Sequence, residues 1–288
     1  NNPETEDSKK RAAGTFSAAL FTEEENNVVK LIVADLDGTL LGSDHRTISP
    51  RTKEALHNAK SKGVSIAIGS GRTYSLLGNV LSQTSDIDYL LMSNGAAFMD
   101  LESKKQSTLG GIPYEKWSAL CKILRKHRTV FEVYCDGKSY IEKDSWDRMD
   151  LNTLPGKFVK EIMDSMTVVN SLEDFLGEQE LEKIDVISTP PEEIESMSQE
   201  IESMDSFACS SSIPGNLEIN RKGVNKGEGI RELCRLLGIS TEEVMAFGDA
   251  SNDREMLQVA GYSVAMRNAD EDLKEIAACV TDTNARDG

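Results

Sequence analysis

Apolar positions fall in short unbroken runs at the two ends of the chain and in shorter, more mixed stretches between them. The first run, Val28-Val29-Lys30-Leu31-Ile32-Val33-Ala34, is rich in β-branched residues and predicts a buried strand. It stops at Asp35-Leu36-Asp37-Gly38-Thr39, which cannot continue an apolar core. A helix is predicted over about 49–62. Ser49 suits the N-cap, Pro50 the first turn and Gly63 the stop, with Leu56 and Ala59 facing inward. Val64–Ile68 is the next strand, followed by Gly69-Ser70-Gly71-Arg72 and a helix near 73–82. Tyr89–Met92 then leads into Ser93-Asn94-Gly95. This strand–helix alternation predicts a parallel α/β sheet.

The pattern changes after about residue 110. Residues 114–127 read as a helix. Phe131–Tyr134 and Ser139–Glu142 flank Cys135-Asp136-Gly137-Lys138, which reads as a hairpin with an Asp-Gly turn. Ile184–Ser188 reads as a strand, the segment after Pro190-Pro191 as a helix and Ser206–Ser211 as a strand, so this stretch predicts a separate α+β module. Alternation returns with a strand at Leu217–Asn220. A helix near 226–237 buries Ile230, Leu233, Cys234 and Leu237, and Gly238 stops it. Ser240 and Glu243 fit a capping box before strand Val244–Phe247. A helix near 252–260, strand Tyr262–Ala265 and a helix near 269–277 follow. The fold class expected is α/β: a Rossmann-like parallel-sheet core (28–111 and 217–288) interrupted by an α+β cap (112–216).

Composition narrows the function. The chain has 288 residues, 39% hydrophobic and 28% charged, the balance of a soluble globular protein. No apolar run approaches the roughly 18–20 residues that span a bilayer, so no membrane partner is expected. A formal net charge of −17 argues against nucleic acid, which needs clustered Lys and Arg. Five cysteines without metal-knuckle spacing, and three histidines without a ligand pattern, point to reduced thiols, no zinc site and a cytoplasmic location. The first residue is Asn rather than Met, so the chain reads as a fragment or processed form. Residues 1–27, polar and acidic, read as a disordered tail. The expected assembly is a monomer or weak homodimer.

Four segments sit where a core strand ends or a core helix begins, the edge of a parallel sheet where ligands bind. Asp35 and Asp37 leave the first strand on one face; one carboxylate could attack phosphorus while its neighbour handles a proton. Gly38 lets the backbone turn and Thr39 offers a hydroxyl. Gly69-Ser70-Gly71 can hold an anion at a helix start, and Tyr74, where a third Gly would stand, argues against a dinucleotide fingerprint. Lys226 opens a helix, a poor place for a cation unless an anion compensates. Asp249 and Asp253 in Gly248-Asp249-Ala250-Ser251-Asn252-Asp253 can converge on a hard cation such as Mg²⁺. Taken singly, each segment also fits a plain role: an Asp-Gly turn, an ordinary strand-to-helix turn, a solvated lysine, an N-capping acidic turn. All four plain roles would have to hold at once.

These segments also carry a likeness. Asp35-Leu36-Asp37-Gly38-Thr39-Leu40, Ser70-Gly71-Arg72, Ser93-Asn94-Gly95-Ala96, Asn225-Lys226-Gly227, the 248–253 segment, Glu255-Met256-Leu257 and Ala265-Met266-Arg267-Asn268-Ala269 occur in the order seen in haloacid dehalogenase-like (HAD) phosphatases. The chain resembles their Cof-type, sugar-phosphatase-like group with a C2-type cap, over about 28–110 and 217–288. The resemblance implies a Mg²⁺-dependent phosphatase acting on a small phosphorylated metabolite, a sugar phosphate or cofactor phosphate. Asp35 would be the nucleophile, Asp37 the acid and base, and Lys226 the neutralising cation. Asp249, Asp253, Asp35 and the carbonyl of Asp37 would hold the metal. Gly38, Thr39, Ser70, Gly71, Arg72, Asn94 and Asn252 are the expected phosphate-binding set. Ser70 stands where the group more often has Thr, and Arg267 where Gly is common. Two other readings stay open: a phosphomutase of the same fold, and a non-catalytic, receiver-like phosphate sensor. A receiver would normally place its acidic pair and its phospho-acceptor on different strands and would lack the long insertion.

Overall fold

The computed structural model describes residues 29–150, 159–210 and 217–288; the tail expected at 1–27 lies outside them. The first apolar run forms strand β1 (Leu31–Ala34). Helix α1 (Pro50–Ser61) follows, capped by Ser49, whose hydroxyl accepts the Thr52 N–H at 3.0 Å. Strand β2 (Ser65–Gly69), the short helix α2 (Gly78–Leu81) and strand β3 (Tyr89–Met92) complete the alternation. The helix expected near 73–82 is broken into a single turn at Tyr74–Leu76 and α2. Two further strands extend the sheet, β4 (Ala97–Asp100) antiparallel to β3 and β5 (Lys105–Thr108) antiparallel to β4. They were not anticipated, because Lys105–Thr108 is polar throughout.

The inserted region begins with helix α3 (Tyr114–Lys126) and the hairpin of β6 (Val130–Cys135) and β7 (Lys138–Glu142). Asp136 and Gly137 both have positive φ (49° and 71°), the requirement of a two-residue type I′ turn. Helices α4 (Lys143–Arg148) and α5 (Val159–Ser165), strand β8 (Met166–Val169) and helix α6 (Leu172–Leu176) follow. Strand β9 (Lys183–Ser188), helix α7 (Ile194–Ser203) and strands β10 (Phe207–Ser210) and β11 (Leu217–Arg221) close the region. Helix α8 (Lys226–Leu237), strand β12 (Val244–Gly248), helix α9 (Arg254–Val259), strand β13 (Tyr262–Ala265), helix α10 (Glu271–Ile276) and strand β14 (Cys279–Val280) return the chain to the core.

The core sheet runs β14-β13-β12-β1-β2-β3-β4-β5, with β1 parallel to both β12 and β2. From β1 the chain builds outward through β2 and β3, and later in the opposite direction through β12, β13 and β14. The carboxyl ends of β1 and β12 are therefore the topological switch point, where an open parallel sheet leaves a crevice. Alternating residues bury both faces: Ile32, Ile66 and Ile68 pack with Leu56 and Ala59 of α1. Leu31, Val33 and Ala246 pack with Ile230 and Leu233 of α8 and with Met256 and Leu257 of α9.

The second sheet runs β10-β11-β9-β6-β7-β8. One face carries Phe131, Val133, Ile184, Val186 and Ile219 onto Trp117, Leu120 and Leu124 of α3 and Met197 and Ile201 of α7. The other face is polar yet buried: Glu132, Tyr134, Ser139, Lys183, Glu218 and Asn220. It turns toward the core, since Asn220 donates to the backbone oxygen of Ser93 (2.9 Å) and Glu218 accepts from Asn94 (2.6 Å). This corrects one expectation. Leu217–Asn220 was assigned to the core, but β11 pairs antiparallel with β9 and β10 in the cap sheet. The reason is its alternation: Ile219 fills the cap interior while the polar Glu218 and Asn220 face the core, so the strand has one apolar and one polar face rather than the continuous apolar run of a core strand. Among the described residues no helix is long and apolar enough to cross a membrane.

Candidate active site

After β1 the chain makes one wide turn, closed by Leu40 N–H to the Asp35 oxygen (3.1 Å) and Leu41 N–H to the Leu36 oxygen (2.9 Å). Gly38 sits in it at φ +88°, and a Cβ there would collide with the Asp249 carboxylate, so both conformation and space require glycine. The turn aims Asp35 into the crevice. The Asp35 N–H is held by the oxygen of Phe247, which ties the ends of β1 and β12 together at 3.0 Å.

Lys226 opens α8, whose N-cap is Asn225, and its side chain runs back into the protein rather than out to solvent. Its Nζ lies 2.6 Å from Asp35 Oδ1 and 2.6 Å from Asp253 Oδ1. Asp253 Oδ2 accepts the backbone N–H groups of Asp249 (2.8 Å) and Ala250 (3.1 Å). Thr39 donates its hydroxyl to Asp249 Oδ1 at 2.7 Å. Oxygens of Asp35, Asp249 and Asp253 all lie within 4.8 Å of one another. Burial pushes the Asp35 carboxyl well above its ordinary value; Lys226 opposes this, while Asp253, Asp249 and Asp37 add to it. Burial likewise pushes Asp249 up to about 6, against the Thr39 hydrogen bond. Burial alone would lower Lys226, but Asp253 and Asp35 outweigh it and raise it.

A model of the family described as haloacid dehalogenase-like hydrolase matches residues 32–288. The chain belongs to the haloacid dehalogenase-like hydrolases. Among curated relatives it is 29% identical over 274 residues to the 5-amino-6-(5-phospho-D-ribitylamino)uracil phosphatase YcsE of Bacillus subtilis, covering 93% of this chain and 96% of that one. It is 28% identical over 280 residues to the phosphatase YwpJ of the same organism, covering 90% and 97%. Among solved structures, a haloacid dehalogenase-like hydrolase from B. subtilis superposes with a TM-score of 0.78 at 27% identity, covering 90% of this chain and 96% of that one. A HAD subclass IIB sugar phosphatase superposes with a TM-score of 0.75 at 28% identity, covering 90% and 95%. Family and relatives together make this hydrolase an enzyme of the phosphatase kind, and its Cof-type character agrees with the sequence.

The remaining predicted residues of this hydrolase divide. Asp37 turns away from the three clustered carboxylates. Its Oδ2 accepts from Arg72 Nε (2.8 Å) and its Oδ1 from Arg72 Nη2 (2.6 Å), with His45 Nδ1 at 3.1 Å. Burial would raise the Asp37 carboxyl, but the His45 hydrogen bond and the Arg72 guanidinium outweigh it and hold it at about 2. Arg72, expected on phosphate, is thus placed on Asp37: a bidentate guanidinium–carboxylate pair is among the strongest polar contacts available to either group. Ser70 is buried, and its hydroxyl oxygen accepts the Arg72 N–H at 3.1 Å, which closes a tight turn. A Cβ on the preceding Gly69 would stand 4.0 Å from the Lys226 stem, so this turn adjoins the lysine.

Ser93, Asn94 and Gly95 all have positive φ (52°, 59° and 88°), a strained run held in place by its neighbours. Asn94 does not stand alone. Its Nδ2 donates to Glu218 Oε2 (2.6 Å) and Asn220 Oδ1 (3.1 Å), and its Oδ1 accepts from Asn252 Nδ2 (3.1 Å). Sequence reasoning missed His45, Glu182, Lys183 and Glu218, and gave no role to Asn268, which donates to the Gly38 oxygen at 2.8 Å. Asn268 lies within Ala265-Met266-Arg267-Asn268-Ala269 and Glu218 in an alternating strand; nothing in the sequence around His45 or Glu182 marks them.

Proposed function

We propose that this hydrolase removes phosphate from a small phosphorylated metabolite, a sugar phosphate or cofactor phosphate, through a phospho-aspartate on Asp35, with Mg²⁺ as cofactor. The carrying observation is the fully buried Lys226 ammonium bridging Asp35 and Asp253 beside Asp249. Three carboxylates converge there against one ammonium. Carboxylates in that excess call for a compensating cation, and an all-oxygen donor set fits Mg²⁺. Asp35, Asp249, Asp253 and the Asp37 carbonyl would hold it. When bound, the ion supplies positive charge opposite the transferring phosphoryl group. The relatives act on a ribityl phosphate and on sugar phosphates by name, which supports a polyhydroxylated leaving alcohol.

In the chemistry this supports, an Asp35 oxygen attacks phosphorus, the ester P–O bond breaks, and the departing alkoxide takes a proton from Asp37. Water then attacks the phosphorus of the acyl phosphate, Asp37 accepts its proton, and the bond to Asp35 breaks. Lys226 offsets charge on Asp35 throughout. The Asp37 carboxylate seen beside Arg72 and His45 is in the form that accepts a proton. Donating one requires it to be protonated and to loosen its hold on Arg72.

Two measurements test this reading. Phosphate release from acetyl phosphate is expected with Mg²⁺, abolished by excess chelator, restored by Mg²⁺ and poorly supported by Ca²⁺, which takes more ligands at longer distances. Full activity in chelator would overturn the metal role, and transfer to a second substrate hydroxyl without free phosphate would favour a mutase. The second measurement needs no turnover. Asp249 has its folded-state value raised to about 6, so its charge costs stability that is lost as pH rises from its ordinary value through 6. Metal-free Asp249→Asn should therefore be more stable than wild type at pH 7.5, by an amount on the order of 1–3 kcal/mol. It should also lose the rise in Tm that Mg²⁺ gives the wild type. Equal Mg²⁺-induced shifts in both proteins would remove Asp249 from the ligand set.

A further inference from the structure

The polar face of the cap sheet meets the core at one carboxylate. Glu218 on β11 is buried. Its Oε2 accepts from Asn94 Nδ2 at 2.6 Å and its Oε1 lies 3.2 Å from Lys183 Nζ. Lys183 is buried too, 3.5 Å from Asp185 and 4.8 Å from the centre of the Tyr134 ring, so its position is set by the cap itself. The carboxylate lies against the Ser70-Gly71 turn: a Cβ on Gly71 would stand 2.9 Å from Glu218 Oε1 and 3.1 Å from Asn94 Oδ1. Gly71 thus lets a cap carboxylate approach the backbone of the anion-binding turn.

A carboxylate in that position cannot bind the phosphoryl group; like charges repel, and an ionised carboxylate only accepts hydrogen bonds. A second acceptor is linked to it through Asn94. Asn252, 6% exposed, donates to Asn94 Oδ1, while its own Oδ1 is buried without a hydrogen-bond partner. An orphaned buried oxygen costs free energy that a donor on a ligand would recover. Asn94 joins the two acceptors, one from the cap and one from the core.

We propose that Glu218, with the Asn252 oxygen, selects the leaving alcohol by accepting hydrogen bonds from a hydroxyl or amino group near the phosphate ester, and rejects leaving groups that carry a second anion there. This rests on the phosphatase reading above and adds to it a substrate class and the cap residue that enforces it.

The test compares kcat/KM for glycerol 3-phosphate, propyl phosphate and 3-phosphoglycerate, each divided by the value for acetyl phosphate, with Mg²⁺ present. Wild type should favour glycerol 3-phosphate over each of the other two by about 10- to 100-fold, the worth of a charge-assisted hydrogen bond. In Glu218→Gln both preferences should shrink to about threefold or less. Glu218→Asp, which keeps the charge on a shorter arm, should still reject 3-phosphoglycerate. Melting curves of all three proteins accompany the assay, because a purely structural role would lower Tm and depress every substrate alike. Equal ratios in wild type, an undiminished preference in Glu218→Gln, or a uniform loss across substrates would overturn the inference while leaving the phosphatase reading intact. Absence of phosphate release from acetyl phosphate by wild type would overturn both.

Discussion

Asp35→Asn should abolish turnover, by at least about 10³-fold, while leaving the fold in place. The amide is nearly isosteric with the carboxylate but its oxygen is not a nucleophile toward phosphorus. The backbone contact that fixes the residue, Asp35 N–H to Phe247 oxygen, does not involve the side chain. Lys226 keeps its second partner, Asp253, at 2.6 Å, so no buried ammonium is left without an anion. Burial already raises the Asp35 carboxyl well above its ordinary value, which means its charged form is held at a cost. A neutral amide removes that cost, and the variant should melt no lower than wild type. The paired readouts are phosphate release and a melting curve. Activity above a tenth of wild type would exclude Asp35 as nucleophile.

Asp37→Asn should lower kcat by roughly 10²–10⁴ without raising KM, because proton transfer acts in the transition state. The effect should depend on the leaving group. Acetate departs from acetyl phosphate without a proton, so formation of the phospho-enzyme is spared and only its hydrolysis, which needs Asp37 as base, is slowed. An alkyl ester needs the proton and should lose more. The cost to stability is separate: Asp37 is held at about 2 by His45 and Arg72, so it contributes stability at every pH above its ordinary value, lost only as pH falls toward 2. A higher KM with unchanged kcat would mean that Asp37 binds substrate and does no proton transfer.

What was legible in the sequence follows from how local each signal is. β1 and β12 are short apolar runs that end abruptly in acidic turns, so strand, edge and candidate chemistry could be read together. Pro50 after Ser49, and Gly238 after Leu237, mark helix ends by backbone chemistry alone, and the observed helices start and stop there. Lys226 is different. Its position at a helix start was legible, but the inward course of its side chain depends on Asp35 and Asp253, which reach it from 191 and 27 residues away. The Arg72–Asp37 pair was hidden for the same reason: each residue had been given its own task, and only the folded turn shows them bound to each other. Glu182 illustrates the limit. Its carboxylate takes the Ser93 hydroxyl at 2.7 Å, Gln106 Nε2 at 3.0 Å and Gly137 N–H at 2.8 Å, joining core to cap. No pattern around Glu182 announces this, because all three donors belong to segments distant in the chain. The strand at 217–221 was misassigned for a simpler reason: its length fits either sheet, and only the alternation Glu218, Ile219, Asn220 separates them.

The most direct test of the phospho-aspartate is to trap it. Asp37→Asn should be mixed with acetyl phosphate and Mg²⁺, quenched in acid within its first turnovers, and examined by intact mass spectrometry and peptide mapping. The account predicts one added phosphoryl group per chain, located on Asp35, stable in acid and lost on brief exposure to base, and absent from Asp35→Asn treated in the same way. Phosphate release in the first turnovers with no covalent adduct, or an adduct on any other residue, would contradict it.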